Sequence, residues 1–477
     1  MELTRENIKT IIRDSKTVLD QEKDASPALL SMIELQSKVL ETLLIRFSLT
    51  SRNSSKSPSS DPNREKTSTG KSSGLKPGGQ PGRVGKNLKR VADPDEIKII
   101  ELDRSTLPEG EYRDAGYEAR QVFDIKVTTH VTEYRAQVLK DSQGHRYVAP
   151  FPEHVKSNTQ YGSKVKSTSV YMSQYQMLPY GRINDYFSDQ LGLPVSQGSV
   201  FNFNQEAYQA LEKFENLAKS KLINSPCIHV DETGINLNGK KIWLHTACND
   251  LWTHFSAHVK RGTEAMNAAG ILPKFKGVMV HDLWKPYYTY DCQHALCNAH
   301  LLRDLTWSLE EDDQAWAGDM SKLLLSLNKQ TKEAGGTLTT QQHQEALSEY
   351  EKILARAEKE CPPPLPPPGK KKRGRIKKSK SRNLLERFLT YKDDILRFTE
   401  NINVPFTNNL GENDLRMTKV QQKISGCFRS EEGANIFCRV RGYLNTCRKH
   451  NLNMTESLEM LFCGQLPDFD NLDPPGE

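Results

Sequence analysis

Carboxylates at the ends of apolar runs are the residues in this chain best placed to do chemistry. Cys227-Ile228-His229-Val230-Asp231-Glu232-Thr233-Gly234 reads as a buried β-strand that delivers the Asp231 carboxylate to its open end and then enters a hairpin. About fifty residues on, Gly277-Val278-Met279-Val280-His281-Asp282 repeats the plan. Two carboxylates fixed on rigid strands are what a hard divalent cation requires. Strands of α/β proteins also end on aspartate for turn reasons, so the pair alone leaves both readings open.

A third acid lies far along the chain. In Val404-Pro405-Phe406-Thr407-Asn408-Asn409-Leu410-Gly411-Glu412-Asn413-Asp414-Leu415-Arg416, Thr407 or Asn408 can cap a helix, which puts Glu412 in its first turns. Arg416, Lys419 and Lys423 then fall on the same helical face. An acid and a basic stripe on one face suit a metal and a phosphate backbone. An exposed helix with an ordinary Glu–Arg pair is the plainer alternative.

The elements that must position these groups follow from periodicity. Residues 241–247 and 252–258 continue the Asp231 strand as an antiparallel meander, turning at Leu237-Asn238-Gly239 and Asn249-Asp250. A helix over 262–269 leads to the Asp282 strand. Three antiparallel strands, a helix and a fourth strand carrying an aspartate is the ribonuclease H-like order, so residues 223–308 are the first part of an α/β core. The second part spans 399–465, with the Glu412 helix and C-terminal helices, and 466–477 is a tail.

Upstream, residues 1–48 have helical spacing. Ile33, Leu40 and Phe47 are seven apart, which fits a short coiled coil or a helical hairpin. Residues 49–93 are a basic linker of disordered composition; from 51 to 92 there are ten Lys/Arg against two acids. Residues 94–157 alternate in strand fashion at 96–100, 121–125 and 127–135, with another strand suggested after a turn at Gly144-His145-Arg146-Tyr147-Val148, and predict a small β-rich unit. Residues 158–222 return to helix. There Leu191-Gly192-Leu193-Pro194-Val195-Ser196-Gln197-Gly198-Ser199-Val200 has the plan of a helix-turn-helix, with Gln197, Ser199 and Asn202 near the second helix start, where base or phosphate contacts would lie. A structural helical hairpin fits the same residues. Residues 309–398 are polar and helical, broken by Pro362-Pro363-Pro364-Leu365-Pro366-Pro367-Pro368 and by a basic run over 370–382.

Composition sets bounds. The net charge of +6 is small, but the basic residues are clustered. Nine cysteines, all at or after Cys227, form no disulfide framework. No apolar run is long enough to cross a membrane, and the N-terminus lacks the plan of a signal peptide, which points to an intracellular protein. Cys292, Cys297 and His300 offer three zinc ligands with no fourth in sight, so zinc is not expected. His229 and His281, beside the aspartates, are read as packing residues pointing to the opposite face of the sheet.

His229-Val230-Asp231-Glu232-Thr233, Val280-His281-Asp282, Cys297-Asn298-Ala299-His300-Leu301-Leu302-Arg303, Asn408-Asn409-Leu410-Gly411-Glu412 and Lys423-Ile424-Ser425-Gly426-Cys427-Phe428-Arg429-Ser430, with the Leu193-to-Gly198 turn, resemble the transposases of the Insertion Sequence 66 group. The resemblance runs from about 94 to 465. It implies a ribonuclease H-like core with an Asp-Asp-Glu triad of Asp231, Asp282 and Glu412, and a helical insertion domain over 309–398. It implies two Mg²⁺ ions, replaceable by Mn²⁺, and cleavage and joining of DNA strands at transposon terminal repeats and target. A homodimer or higher oligomer on DNA, small companion proteins and a bacterial cytoplasmic, nucleoid-associated location follow from the same resemblance. Arg416, Lys419, Lys423, His300 and Arg303 are then candidates for DNA contact. The family's cysteine zinc finger has no counterpart here, since 98–153 contain no cysteine. A ribonuclease H-like nuclease that never joins ends and a non-catalytic DNA-binding regulator are the competing readings.

Overall fold

The computed structural model describes residues 5–21, 26–50, 52–54, 88–364, 376 and 378–471. The basic linker over 55–87 and most of the Pro-rich and basic stretch over 365–377 lie outside these residues. The chain divides into two compact units, one of Met1–Arg64 with Thr132–Glu477 and one of Glu65–Val131.

In the larger unit, α1 (Arg5–Gln21) and α2 (Pro27–Ser48) pack side by side as a helical hairpin. Ser26 caps α2 through the Leu29 amide, and Pro27 occupies its first position, where a missing N–H costs nothing. Next come the short antiparallel pair β1 (Val138–Lys140) and β2 (Arg146–Val148), then α3 (Ser163–Val170), which continues as a π turn over Tyr171–Tyr175. Helices α4 (Tyr180–Leu191), α5 (Gln197–Ala210) and α6 (Glu212–Ile223) lead into the sheet. Gly192 ends α4 in the left-handed region at φ 59°, and the Ser196 hydroxyl accepts from the Ser199 amide at 3.0 Å to start α5.

The sheet is built from β3 (Cys227–Leu237), β4 (Lys240–Cys248), β5 (Thr253–His258), β6 (Val278–His281) and β7 (Gln293–Leu296), with α7 (Thr263–Ala269) between β5 and β6. Its order is β5-β4-β3-β6-β7. The β3–β4 and β4–β5 pairs are antiparallel, and the β3–β6 and β6–β7 pairs are parallel. Downstream lie α8 (Asn298–Glu311), α9 (Ala315–Glu333), α10 (Thr340–Glu360), α11 (Lys380–Thr390), α12 (Lys392–Leu396), α13 (Asn409–Ser425), α14 (Glu431–Lys449) and α15 (Met454–Phe462). The fold is therefore mixed α/β, a five-stranded mixed sheet among many helices.

Alternation along β3 sends its residues into two cores. Ile228 and Val230 join Phe187, Phe203, Phe214 and Tyr443, so α4, α5 and α6 share one core with the sheet. Cys227 joins Val278, Val280 and Ala295 with Leu301, Trp316, Tyr350 and Phe388, the core of α8–α12.

Three expectations need correction. β3 does not end at Asp231: it runs through Gly234, paired with Trp243, to Leu237 before turning at Asn238-Gly239. The small β-rich unit over 94–157 has only β1 and β2 among its described residues, and residues 96–100, 121–125 and 127–135 form no strand. Their apolar side chains, such as Ile97, Ile100 and Val122, are exposed, so alternation there has neither a pairing edge nor a core to face. β7 is a fifth strand that its sequence, Gln293-His294-Ala295-Leu296 with no β-branched residue, does not announce. Among the described residues, no helix is long and apolar enough to cross a membrane.

Candidate active site

β3 and β6 run in parallel with His229 opposite Val280. Extending that register by two positions brings Asp282, just past the end of β6, level with Asp231. Helix α13 packs on β3 and places Glu412 in its first turn. Its other end is tied down as well: the Phe428 amide donates to Asn236 O at 2.8 Å, and the Asn238 amide donates to Phe428 O at 2.9 Å.

The charge state of Asp231 reports the crowding. Burial first, then the charges of Glu232, Asp282 and Glu412, push its carboxyl up to about 8, although the Glu232 amide donates to it at 2.8 Å. Among the described residues no lysine or arginine pairs with Asp231, Asp282 or Glu412. The Asp282 carboxylate accepts the Trp284 amide at 3.1 Å. Acids brought together without a counter-charge, all offering hard oxygens, fit a divalent cation.

Glu232 is a different kind of acid. Its side chain is 2% exposed and fully satisfied. Arg261 donates to one oxygen from Nε at 2.9 Å and Nη2 at 2.6 Å, and the Tyr287 hydroxyl donates to the other. Arg261 lies over the rings of Trp243 and Trp284 at 4.8 and 4.1 Å. Glu232 is thereby neutralised in place, while its neighbour Asp231 is left without a cation.

Asn408 binds the elements together. It stands at the N-cap position of α13, yet its side chain caps nothing. The amide nitrogen donates to Val230 O at 2.9 Å, and Oδ1 accepts from His229 Nδ1 at 2.8 Å. The Asn408 backbone N–H points at Cys297 Sγ at 3.2 Å, and its carbonyl accepts from the Glu412 amide at 3.2 Å. This corrects the placement of His229. A residue two before Asp231 shares its face of the strand, and His229 is part of the support beneath Glu412. His281 is buried as expected, its ring bonded to Asp282 O and, at 3.0 Å, to His294.

The other candidates fall into two groups. His300 Nδ1 lies 3.8 Å from Glu412 Oε1, and Cys297 Sγ lies 3.9 Å from the same oxygen. Arg416, Lys419 and Lys423 are exposed along the Glu412 face of α13, with Lys419 Nζ donating to Gly234 O at 2.7 Å. Arg303 is half-buried on α8. Gln197 and Asn202 are exposed at the start of α5, and Ser199 is half-buried against the Ser196 hydroxyl at 2.9 Å; none of the three touches the carboxylates. Sequence reasoning missed Arg261 and Tyr287 as partners of Glu232, and Asn408 as more than a cap. Only the position of Asn408 in a quoted motif marked it.

No curated protein matches the chain. Residues 158–436, more than half of the chain and spanning Asp231, Asp282 and Glu412, match the family described as Transposase IS66 family. The chain belongs to that family of transposases.

Proposed function

We propose that the protein is a DNA transposase that binds the ends of its element and catalyses metal-dependent cleavage and joining of phosphodiesters. The observation that carries this reading is the convergence of Asp231 on β3, Asp282 at the end of β6 and Glu412 on α13, with no lysine or arginine among the described residues paired to them, while the exposed face of α13 bears Arg416, Lys419 and Lys423. Its core is the ribonuclease H-like arrangement, with the three acids as the Asp-Asp-Glu triad.

Asp231, Asp282 and Glu412 would hold two Mg²⁺ ions, with Mn²⁺ able to replace them. Such ions neutralise charge at the scissile phosphate and activate the attacking oxygen. The chain itself supplies position and charge. Asp231, which feels the charges of both Asp282 and Glu412, would be the central ligand of the set. Arg416, Lys419 and Lys423, with His300 and Arg303, would line the DNA backbone. The turn between α4 and α5 would act as a helix-turn-helix, with Gln197, Ser199 and Asn202 toward the terminal repeats. The active form on DNA is a homodimer or higher oligomer, assisted by small companion proteins, in the cytoplasm at the nucleoid.

The test is incubation with Mg²⁺ and the DNA that flanks the gene, scoring nicks, double-strand breaks and joined products. Joined ends support a transposase, breaks without joining a nuclease, and neither a DNA-binding regulator. Asp231→Asn, Asp282→Asn and Glu412→Gln are each expected to abolish cleavage while leaving end binding largely intact. Normal cleavage by any of the three removes that residue from the triad.

A further inference from the structure

We propose that Cys297, His300 and Glu412 form a binding site for a borderline divalent cation, zinc above all. The ligand count changes between sequence and structure. Cys292, counted with them by spacing, lies at the start of β7 with its sulfur 4.0 Å from His294. Glu412 takes its place from a distant helix, and one atom each of Cys297, His300 and Glu412 lies within 4.8 Å of the others.

The geometry suits a thiolate–imidazole–carboxylate set. Zinc takes sulfur at about 2.3 Å and imidazole nitrogen at about 2.0–2.1 Å, with its ligands in a tetrahedron. Small side-chain adjustments bring the three atoms to such distances. The fourth position stays open to water or phosphate. His300 Nδ1 is sealed from solvent and makes no hydrogen bond among the described residues, so in the neutral tautomer that leaves it unprotonated it offers a lone pair toward Glu412. Cys297 is buried, yet its sulfur receives the Asn408 N–H at 3.2 Å and those of Ala299 and His300 in the first turn of α8. Amides pointed at sulfur stabilise the thiolate once a metal displaces its proton, which leaves to solvent.

The site needs neither DNA nor the other two acids, so it stands or falls apart from the transposase reading. Glu412 Oε1 is common to both, and an ion held by Cys297 and His300 competes with the carboxylate set for it.

Titration of the full-length protein with Co²⁺ tests the proposal. A thiolate-to-cobalt absorption band in the near ultraviolet is expected, displaced by one equivalent of Zn²⁺. Cys297→Ser should remove the band. His300→Ala and Glu412→Gln should each weaken Co²⁺ binding by at least about tenfold. Cys292→Ser should leave it unchanged. A wild-type protein without the band, or a band that survives Cys297→Ser or disappears with Cys292→Ser, overturns the proposal. His300→Ala, at a position that is partly exposed, carries the same decision if the cysteine variant fails to fold.

Discussion

Asn408 is 2% exposed and holds β3, α8 and α13 with one side chain and one peptide group. Replacing it with alanine strands a buried carbonyl at Val230 and a buried N–H at His229, each at about 1–3 kcal/mol. Asn408→Ala is therefore expected to lower the melting temperature. It should also reduce cleavage well beyond any loss of DNA binding, because the start of α13, which carries Glu412, loses its side-chain tie to β3. Cleavage at the parental rate would show that Glu412 is positioned by other means. Asp231 supplies a second expectation at this scale. Its carboxyl rises from 3.8 in the unfolded chain to about 8 in the metal-free fold. The folded state thus keeps a proton that the unfolded chain gives up, and stability falls as pH rises through that window. At pH 8 the metal-free Asp231→Asn variant should melt above the parent, by the equivalent of at least about 1 kcal/mol, with the gap closing near pH 4. Mg²⁺ should raise the melting temperature of the parent and not of the variant. The positions of Asp231 and Asp282 at neighbouring strands and of Glu412 in the first turn of a helix were legible in the sequence, because short apolar runs and a polar helix start mark them. The bonds of Asn408 to β3 were not, since nothing local marks a contact between residues so far apart in the chain.

Among the elements, β4, β5, helix α7 and strand β6 stand where periodicity and turn residues put them, because Asn or Gly bounds each, and β3 turns at Asn238-Gly239 as expected although it runs past Asp231. β7 reads Gln293-His294-Ala295-Leu296, without the β-branched residues that mark β6, so nothing in its composition distinguishes it from loop. Strands expected between residues 96 and 135 fail for the converse reason: they alternate but bury nothing. What the sequence could not show is how closely β6 is held against the start of β3. A Cβ on Gly277 would lie 2.5 Å from Pro226 O and 2.7 Å from Ser225 O, backbone atoms that cannot swing aside. The Val278 amide donates to that same Pro226 carbonyl at 2.9 Å, at the point where the parallel pairing begins. Gly277→Ala is expected to destabilise the fold by about 1–3 kcal/mol, read as a lower urea midpoint with unchanged slope. It should also weaken Mg²⁺ binding, since Asp282 lies at the other end of the displaced strand. An unchanged midpoint would mean that the two strands can part without cost.

At the scale of the molecule, every buried apolar cluster lies within the region that matches the family or just beyond it. The first runs from Val170 to Phe469, the second from Cys227 to Val404 and the third from Met177 to Cys438. The helical segments 158–222 and 309–398, which composition alone marks off as separate regions, each share a core with the sheet. Segment boundaries drawn from composition cannot see this, because an amphipathic helix shows that it has a buried face and not which element covers it. Upstream, α1 and α2 pack against one another, and Arg52, just past α2, pairs with Glu310 at the surface of α8. A surface pair of this kind contributes little, typically about 0–1 kcal/mol. A chain that begins at residue 158 should therefore melt in a single cooperative transition, within about 4 °C of the full-length protein. It should keep Mg²⁺-dependent nicking of DNA, since Asp231, Asp282, Glu412 and Asn408 are all retained. What it stands to lose is the basic linker over 49–93 and any association through α1 and α2, so DNA affinity and its salt dependence should fall while the melting curve does not. A broad or much lower melt in the shortened chain would place part of the folding free energy upstream of residue 158.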